Sequence, residues 1–442
     1  MDPVVSVIGG GLAGCEAALQ LARRGVRVRL YEMKPVRYSP AHSSDQLAEL
    51  VCSNSLRSDR LHNAVGLLHE EMRRLGSIVL EAADACSLPA GGALAVDRQR
   101  FSAYIDDAVR ARPEIELCRE EVRALPEGLT IVATGPLTSD VLAGEIRGLC
   151  GDSLYFYDSI APTVYADSLD MDVVYRASRY EPGAPGDYLN LPLSEIEYHV
   201  FVESLRKARK VPLHPFEEPR YFEGCLPIEV MAERGPLTLA FGPMKPVGLP
   251  DPRTGREPFA VVQLRQEDRG ATLYNLVGFQ TKLRIGEQRR IFRGLPGLGQ
   301  AVFARFGSVH RNTFIRSPAL LDERLQHRGR DGLYFAGQIA GVEGYVESAA
   351  LGLLAGVYVA ERAAGREAPL PPPTTALGAL GRHLRDGDPD HFQPMNVSFG
   401  LFPPLPDAPR GRRSRREKHA RLAERALEDL APWAGRIRGE GA

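Results

Sequence analysis

The sequence predicts an α/β protein in which a parallel sheet opens at the N-terminus, is interrupted by an inserted α+β domain, and is completed near the C-terminus. Three observations predict it. An apolar run, Val4-Val5-Ser6-Val7-Ile8, passes straight into Gly9-Gly10-Gly11-Leu12-Ala13-Gly14 and an Ala/Leu-rich stretch ending at Arg24, which reads as strand, turn and helix. A second apolar run, Leu129 to Thr134, ends on Ala133-Thr134-Gly135; a third, Gly332-Leu333-Tyr334-Phe335-Ala336-Gly337, leads into a small-residue helix from Val346 to Ala364. The chain between those runs is too long for a connection and carries strand patterns of its own.

At 442 residues the chain has room for two or three domains, and 44% hydrophobic with 25% charged residues is a globular balance. No stretch of about 18 apolar residues occurs, so neither a membrane span nor a secretory leader is expected, and the cytoplasm is the expected location. The six cysteines (Cys15, Cys52, Cys86, Cys118, Cys150, Cys225) stand singly, without metal-knuckle or redox-pair spacing, so reduced thiols and no metal centre are expected. A net charge of −1 excludes a globally basic nucleic-acid coat. Arg410 to Arg425 nevertheless holds eight Lys/Arg against two Glu. That segment suits RNA phosphates, with Arg412, Arg413, Arg415 and Arg416 as candidates, or is an ordinary solvated face.

In the first unit Gly9 permits the tight turn, Gly11 lets the backbone approach a pyrophosphate, and Gly14 lets the helix pack on the strand. The helix N-terminus at Leu12 and Ala13 then points at phosphate, with Gly10 beside it. A second strand, Val26 to Tyr31, delivers Glu32, an acceptor for ribose hydroxyls. The Ala-Thr-Gly strand paired with the late glycine return resembles the FAD-binding glutathione-reductase-like superfamily. The resemblance implies FAD, with Gly337, Gln338, Gly341 and Gly344 near the flavin; that superfamily usually carries Asp where Gln338 stands. The late helix, starting after Gly341 and Gly344, is suited to face a flavin pyrimidine, or its glycines serve only helix packing.

The expected division is 1–153 and 327–442 for the FAD-binding domain and 154–326 for the insertion. Within the insertion, strands are expected from Val173 to Ala177 and Ala260 to Arg265, with Leu273 to Gly278 as hairpin partner. Arg284 to Phe306 reads as partly helical, broken at Gly294-Leu295-Pro296-Gly297, which is no second dinucleotide motif. NAD(P)H is therefore expected only as a transiently docked reductant.

Five further segments carry a closer resemblance: Glu49-Leu50-Val51-Cys52-Ser53-Asn54-Ser55-Leu56, Gly224-Cys225-Leu226-Pro227-Ile228-Glu229, His310-Arg311-Asn312-Thr313-Phe314-Ile315, Gly337-Gln338-Ile339-Ala340-Gly341-Val342-Glu343-Gly344-Tyr345-Val346-Glu347-Ser348 and Phe392-Gln393-Pro394-Met395-Asn396. Together they resemble the folate- and FAD-dependent tRNA uracil-C5 methyltransferases, which make ribothymidine in the T-loop. The resemblance implies tRNA as partner, methylenetetrahydrofolate as carbon donor and FAD as reductant. Chemically, a thiolate must add to uracil C6 before the poorly nucleophilic C5 can attack a one-carbon electrophile, and a base must then take the C5 proton. Cys225, in a loop-like context, is the candidate nucleophile, the alternative being the buried small hydrophobe that a free cysteine usually is. Cys52 is the candidate acid/base, its thiol activated by a helix that Ser53-Asn54-Ser55 would cap on the way to Leu61–Leu75; alternatively it is structural. His310 is placed to stack on a pterin or flavin with Arg311 or Asn312 at its edge, or is a solvated strand histidine; Glu343 and Tyr345 line the flavin or substrate slot, or Tyr345 is simply packing at the start of the helix. A related wobble-uridine-modifying flavoprotein shares the Gly-Gln-Ile-Ala-Gly run. A disulfide or quinone oxidoreductase would need paired cysteines and a second nucleotide motif.

Overall fold

The computed structural model describes residues 3–39, 41–151, 154–179, 186–212, 226–407 and 415–438, without the side chains of 154–158, 310 and 311. Val4–Ile8 is the central strand of a five-stranded parallel sheet in the order Leu333–Phe335, Thr130–Val132, Val4–Ile8, Arg27–Tyr31, Ile115–Cys118. A strand from the far end of the sequence thus closes the sheet beside the Ala-Thr-Gly strand. The glycine-loop helix Leu12–Ala22 lies against the late helix Tyr345–Ala363, and both are buried along most of their length. They approach backbone to backbone: a Cβ on Gly352 would overlap the Ala13 carbonyl, and one on Gly356 would stand 2.8 Å from the Ala17 oxygen.

The insertion is a six-stranded antiparallel sheet in the order Tyr175–Ala177, Tyr188–Leu193, Ala260–Gln266, Leu273–Leu276, Thr163–Tyr165, Phe303–Arg305. Its helices Glu195–Lys207, Ile228–Arg234 and Ile285–Phe292 close a second apolar core around Leu191, Tyr198, Phe279 and Phe292. A separate antiparallel ribbon, Leu154–Ile160 with Ser308–Phe314, carries the chain into and out of this sheet.

Several sequence expectations shift. The strand placed from Val173 begins only at Tyr175, because Val173 and Val174 donate to the Asp170 carbonyl in a turn. The helical reading beyond Gly294 fails, since Phe303–Arg305 is an edge strand paired with Thr163–Tyr165. Cys52 caps no helix. Ser55–Ser58 is a strand paired with Ala93–Val96, and the helix begins at Ala64 after Asn63. The segment is held extended because the Asn54 amide donates to the Val96 (3.0 Å) and Gln266 (2.8 Å) carbonyls, and Arg57 sits at φ 70. The basic tail becomes the helix Arg415–Arg438, whose Leu422, Ala426, Leu430, Trp433 and Ile437 pack on the first core at helical spacing. Among the described residues no helix is long and apolar enough to cross a membrane, and no His/Cys/Asp/Glu cluster is placed to hold a metal.

The glycine crossing gives the first test. Gly352→Ala should force the two helices apart and cost about 1–3 kcal/mol, read as a lowered urea midpoint; an unchanged midpoint would show that the crossing is not tight.

Candidate functional site

The glycines of the first turn divide by physical role. Gly9 sits at φ 106, where a Cβ would lie 2.6 Å from the Ala133 oxygen, and a Cβ on Gly14 would overlap the Gly9 carbonyl. Both are demanded by backbone packing. At Gly11 a Cβ would meet nothing within 4 Å, because the position faces an open cleft of about 620 Å³. Gly11 is also the N-cap of Leu12–Ala22, so the unpaired amides of Leu12, Ala13 and the turn above are available to an anion there. Glu32 lines the same cleft and is buried; one carboxylate oxygen accepts the Gly10 N–H (3.0 Å), the other the Lys34 N–H (2.9 Å). It braces the glycine turn and keeps lone pairs for a ribose hydroxyl.

Leu137 lines this outer cleft and also an inner one of about 1180 Å³, where Cys52, Asn312, Gln338, Glu343, Gly344 and Tyr345 converge. The Tyr345 hydroxyl, at the start of the late helix, accepts the N–H of Cys52 (2.8 Å) and of Ser53 (3.3 Å) and lies 2.9 Å from Cys52 Sγ. The late glycine loop is held from behind by the Phe392–Asn396 segment. Phe392 packs on Gly341, the Met395 carbonyl accepts the Glu343 N–H (3.0 Å), and the Asn396 amide donates to the Glu343 carbonyl (2.6 Å). Gln338 donates 2.6 Å to the Glu343 carboxylate, so these two side chains are fixed as a pair. Gly337, at φ 80, lets the loop pass over Ala13; a Cβ added to it would stand 2.8 Å from the Ala13 Cβ.

Burial pushes the thiols of Cys15, Cys86, Cys118 and Cys150 up, that of Cys150 to about 11. Among the described cysteines, Cys52 alone lines the inner cleft. Cys225 lies outside the described residues, as do Arg412 and Arg413 and the side chains of His310 and Arg311. Just downstream of Cys225, the Ile228 N–H donates 2.7 Å to the carbonyl of Gln280, an inner-cleft residue. The buried Glu229 anchors that turn to Thr281 Oγ1 and the Lys282 N–H, both at 2.8 Å. Arg415 and Arg416 are exposed on the first turn of the final helix and line neither cleft.

Sequence reading missed the cations around the Cys52 loop. Arg98 binds the Leu50 carbonyl, Arg305 the Val51 carbonyl (2.8 Å), and Arg265 both Ser53 Oγ and Asn54 Oδ1 (2.7 Å each). Glu267 takes Arg98 through both carboxylate oxygens, and Arg57 pairs with the buried Glu347. These residues come from separate segments, and the one local signal was Arg265 inside the otherwise uncharged strand Ala260–Gln266.

A glycine-cradled outer cleft next to a thiol-bearing inner one, at the seam of a split parallel sheet and an inserted antiparallel sheet, defines a dinucleotide-cofactor α/β protein. A family model described as Glucose inhibited division protein A (GIDA) matches residues 4–367. Relatives from Geobacter sulfurreducens and Syntrophus aciditrophicus, both named methylenetetrahydrofolate--tRNA-(uracil-5-)-methyltransferase TrmFO, are 60% and 56% identical over 438 residues, covering 99% of this chain and 100% and 98% of theirs. Among solved structures, Aquifex aeolicus GidA in its form II crystal matches with a TM-score of 0.69 at 19% identity, over 99% of this chain and 75% of that one, a likeness of fold. The chain belongs to the TrmFO family, within the wider GIDA family.

Gly11→Val places a branched side chain in the open cradle without touching the core. The purified variant should fold with an unchanged thermal transition of the insertion core and lose its bound dinucleotide, seen as a loss of visible absorbance relative to protein. Full cofactor content in Gly11→Val would contradict the cradle.

Proposed function

We infer that the chain methylates C5 of the T-loop uridine of tRNA, with methylenetetrahydrofolate as carbon donor and FAD as the bound redox cofactor. The observation that carries this reading is the glycine-cradled cleft lying next to an inner cleft that holds Cys52, with Leu137 lining both, in a chain whose 60% identical relative is named methylenetetrahydrofolate--tRNA-(uracil-5-)-methyltransferase. FAD fits the residues present. Gly9, Gly10, Gly11, Leu12, Ala13 and Gly14 would hold its pyrophosphate and Glu32 its ribose, with Gly337, Gln338, Gly341 and Gly344 toward the ring. When bound and reduced by transiently docked NAD(P)H, it supplies the hydride that turns a methylene into a methyl group.

The chain's own residues do the rest. The Cys225 thiolate adds to C6, and the C5–C6 π electrons move into the enolate. C5 then bonds the folate-borne carbon. Cys52 Sγ takes the C5 proton as the carbon–nitrogen bond to folate breaks. After the methylene is reduced, the C6–S bond breaks and the Cys225 thiolate is regenerated. Asn312 and Glu343 present hydrogen-bonding groups to the inner cleft for the uracil or pterin edge, and the same reading gives His310 and Arg311, next to Asn312 in the strand Ser308–Phe314, a part in holding the pterin. We divide the chain at 1–153, 154–326 and 327–442, a division supported by the ribbon Leu154–Ile160 with Ser308–Phe314. We place the protein in the cytoplasm, where its tRNA substrate is.

The assignment of the two thiols is tested with a T-loop RNA carrying 5-fluorouridine, which has no C5 proton to lose. The reaction should stall as a covalent protein–RNA complex on a denaturing gel. Cys225→Ala should abolish the complex, and Cys52→Ala should abolish turnover while the complex persists. A complex that survives Cys225→Ala and is lost in Cys52→Ala would reverse the roles.

Arg415 and Arg416 continue a basic run with Arg412 and Arg413. Replacing all four by Glu should weaken tRNA binding and flatten the slope of log affinity against log salt by roughly 0.7–0.9 for each phosphate no longer neutralised, with cofactor content unchanged. An identical slope would return the segment to a solvated face.

A further inference from the structure

The Cys52 loop is enclosed by charge in a way that neither the fold nor the methyl-transfer reading requires. Tyr345 is the first element of it. Its hydroxyl oxygen has two lone pairs, and both are taken, by the backbone N–H of Cys52 at 2.8 Å and of Ser53 at 3.3 Å. Its own proton must therefore point elsewhere, and Cys52 Sγ stands 2.9 Å away. Burial, and next the neighbouring Cys52, push the phenol well above its usual range, so Tyr345 stays protonated and acts as the donor across neutral pH.

The second element is the balance of ions around the loop. From the strand Ser55–Ser58, Arg57 is matched by Glu347 of the late helix. From the helix Arg98–Arg110, Arg98 is matched by Glu267 of the insertion. Arg265 and Arg305, from two other strands of the insertion, form no ion pair among the described residues and bind only neutral groups of the loop: Ser53 Oγ, Asn54 Oδ1 and the Val51 carbonyl. Among the described residues, the remaining acid on the inner cleft is Glu343, which accepts from the neutral Gln338 amide and keeps its charge, so two guanidiniums face at most one further carboxylate. Burial lowers both guanidiniums and Arg98 adds to it, while the Glu267 carboxylate already paired with Arg98 offsets part of the effect at each, so one acid is shared among three cations. A negative charge at Cys52 is what this surplus lacks.

We propose that Cys52 rests as a thiolate, held by the Tyr345 hydroxyl and by the unmatched charge of Arg265 and Arg305, and that Tyr345 is the positioning residue that sets its protonation. This replaces the helix N-terminus that the sequence suggested as the activating group. It rests on the reading of Cys52 as the base for the C5 proton only in its consequence: a thiolate at neutral pH is ready to accept that proton without first losing its own, and the Tyr345 hydroxyl holds the sulfur in place before transfer.

The test needs neither RNA nor folate, so its failure is separate from failure of the methyl-transfer reading. The purified, cofactor-loaded protein is alkylated with iodoacetamide across a pH series, and the rate at the Cys52 peptide is followed by mass spectrometry. The wild-type midpoint should lie at least about one unit below the ordinary thiol value of about 8.5. Tyr345→Phe, which removes one oxygen, should raise it by about one unit. Glu267→Gln, which removes the counter-charge, should move it the other way, to lower pH. Because a merely loosened site would carry both variants toward 8.5 alike, the opposite signs separate the field from a packing defect. A wild-type midpoint at or above 8.5, no change in Tyr345→Phe, or an upward shift in Glu267→Gln would overturn the proposal.

Discussion

The backbone contact between the helices Leu12–Ala22 and Tyr345–Ala363 is the constraint on which the other features depend. Without side chains at Gly352 and Gly356, the late helix settles onto the carbonyls of Ala13 and Ala17. That contact brings the two ends of a long chain together and buries both helices. It fixes where the late helix begins, and so it places the Tyr345 hydroxyl on the loop carrying Cys52, 293 residues away in sequence. It also sets the late glycine loop beside the first one, where Gly337 passes close over Ala13. Close helix contact of this kind leaves little slack, and a shift of one helix would move the thiol environment and the cofactor cradle together.

The insertion acts on the same site from the other side. Its strand Ala260–Gln266 supplies Arg265 and its edge strand Phe303–Arg305 supplies Arg305, and both hold the Cys52 loop by its carbonyls and polar side chains. The thiol therefore stands at the seam, with the late helix and Arg98 contributed by one body and two guanidiniums by the other. The position of the inserted sheet thereby bears on the thiolate proposed at Cys52, since these charges are buried and weakly screened.

The parts of this architecture legible in the sequence were those written in local pattern. The strand before Gly9, the Ala-Thr-Gly strand and the late return all follow from apolar runs ending on glycine, and the sheet joins them in parallel. Gly11 could be told from Gly9 and Gly14 by motif alone, and its open surroundings agree with that reading. The Cys52 helix was misread because Ser-Asn-Ser is a capping pattern, whereas Asn54 spends its amide on the Val96 and Gln266 carbonyls and the segment pairs as a strand. The arginine surround was invisible for a different reason: Arg98, Arg265 and Arg305 meet only through tertiary contact. Phe392–Asn396 stood out as a motif, but its task, bracing the Gly341–Gly344 loop, is set by packing that no local pattern encodes.

The central claim is that this chain transfers a folate carbon to a T-loop uridine and that FAD reduces it there. It is tested most directly by incubating the purified protein with an unmodified tRNA transcript, NADPH and methylenetetrahydrofolate carrying carbon-13 in its methylene group, then digesting the tRNA to nucleosides for mass spectrometry. The product should be 5-methyluridine one mass unit heavier than natural, located in the T-loop fragment and absent when folate is omitted. Unlabelled product, label in the anticodon fragment, or no 5-methyluridine from cofactor-loaded protein would contradict the claim.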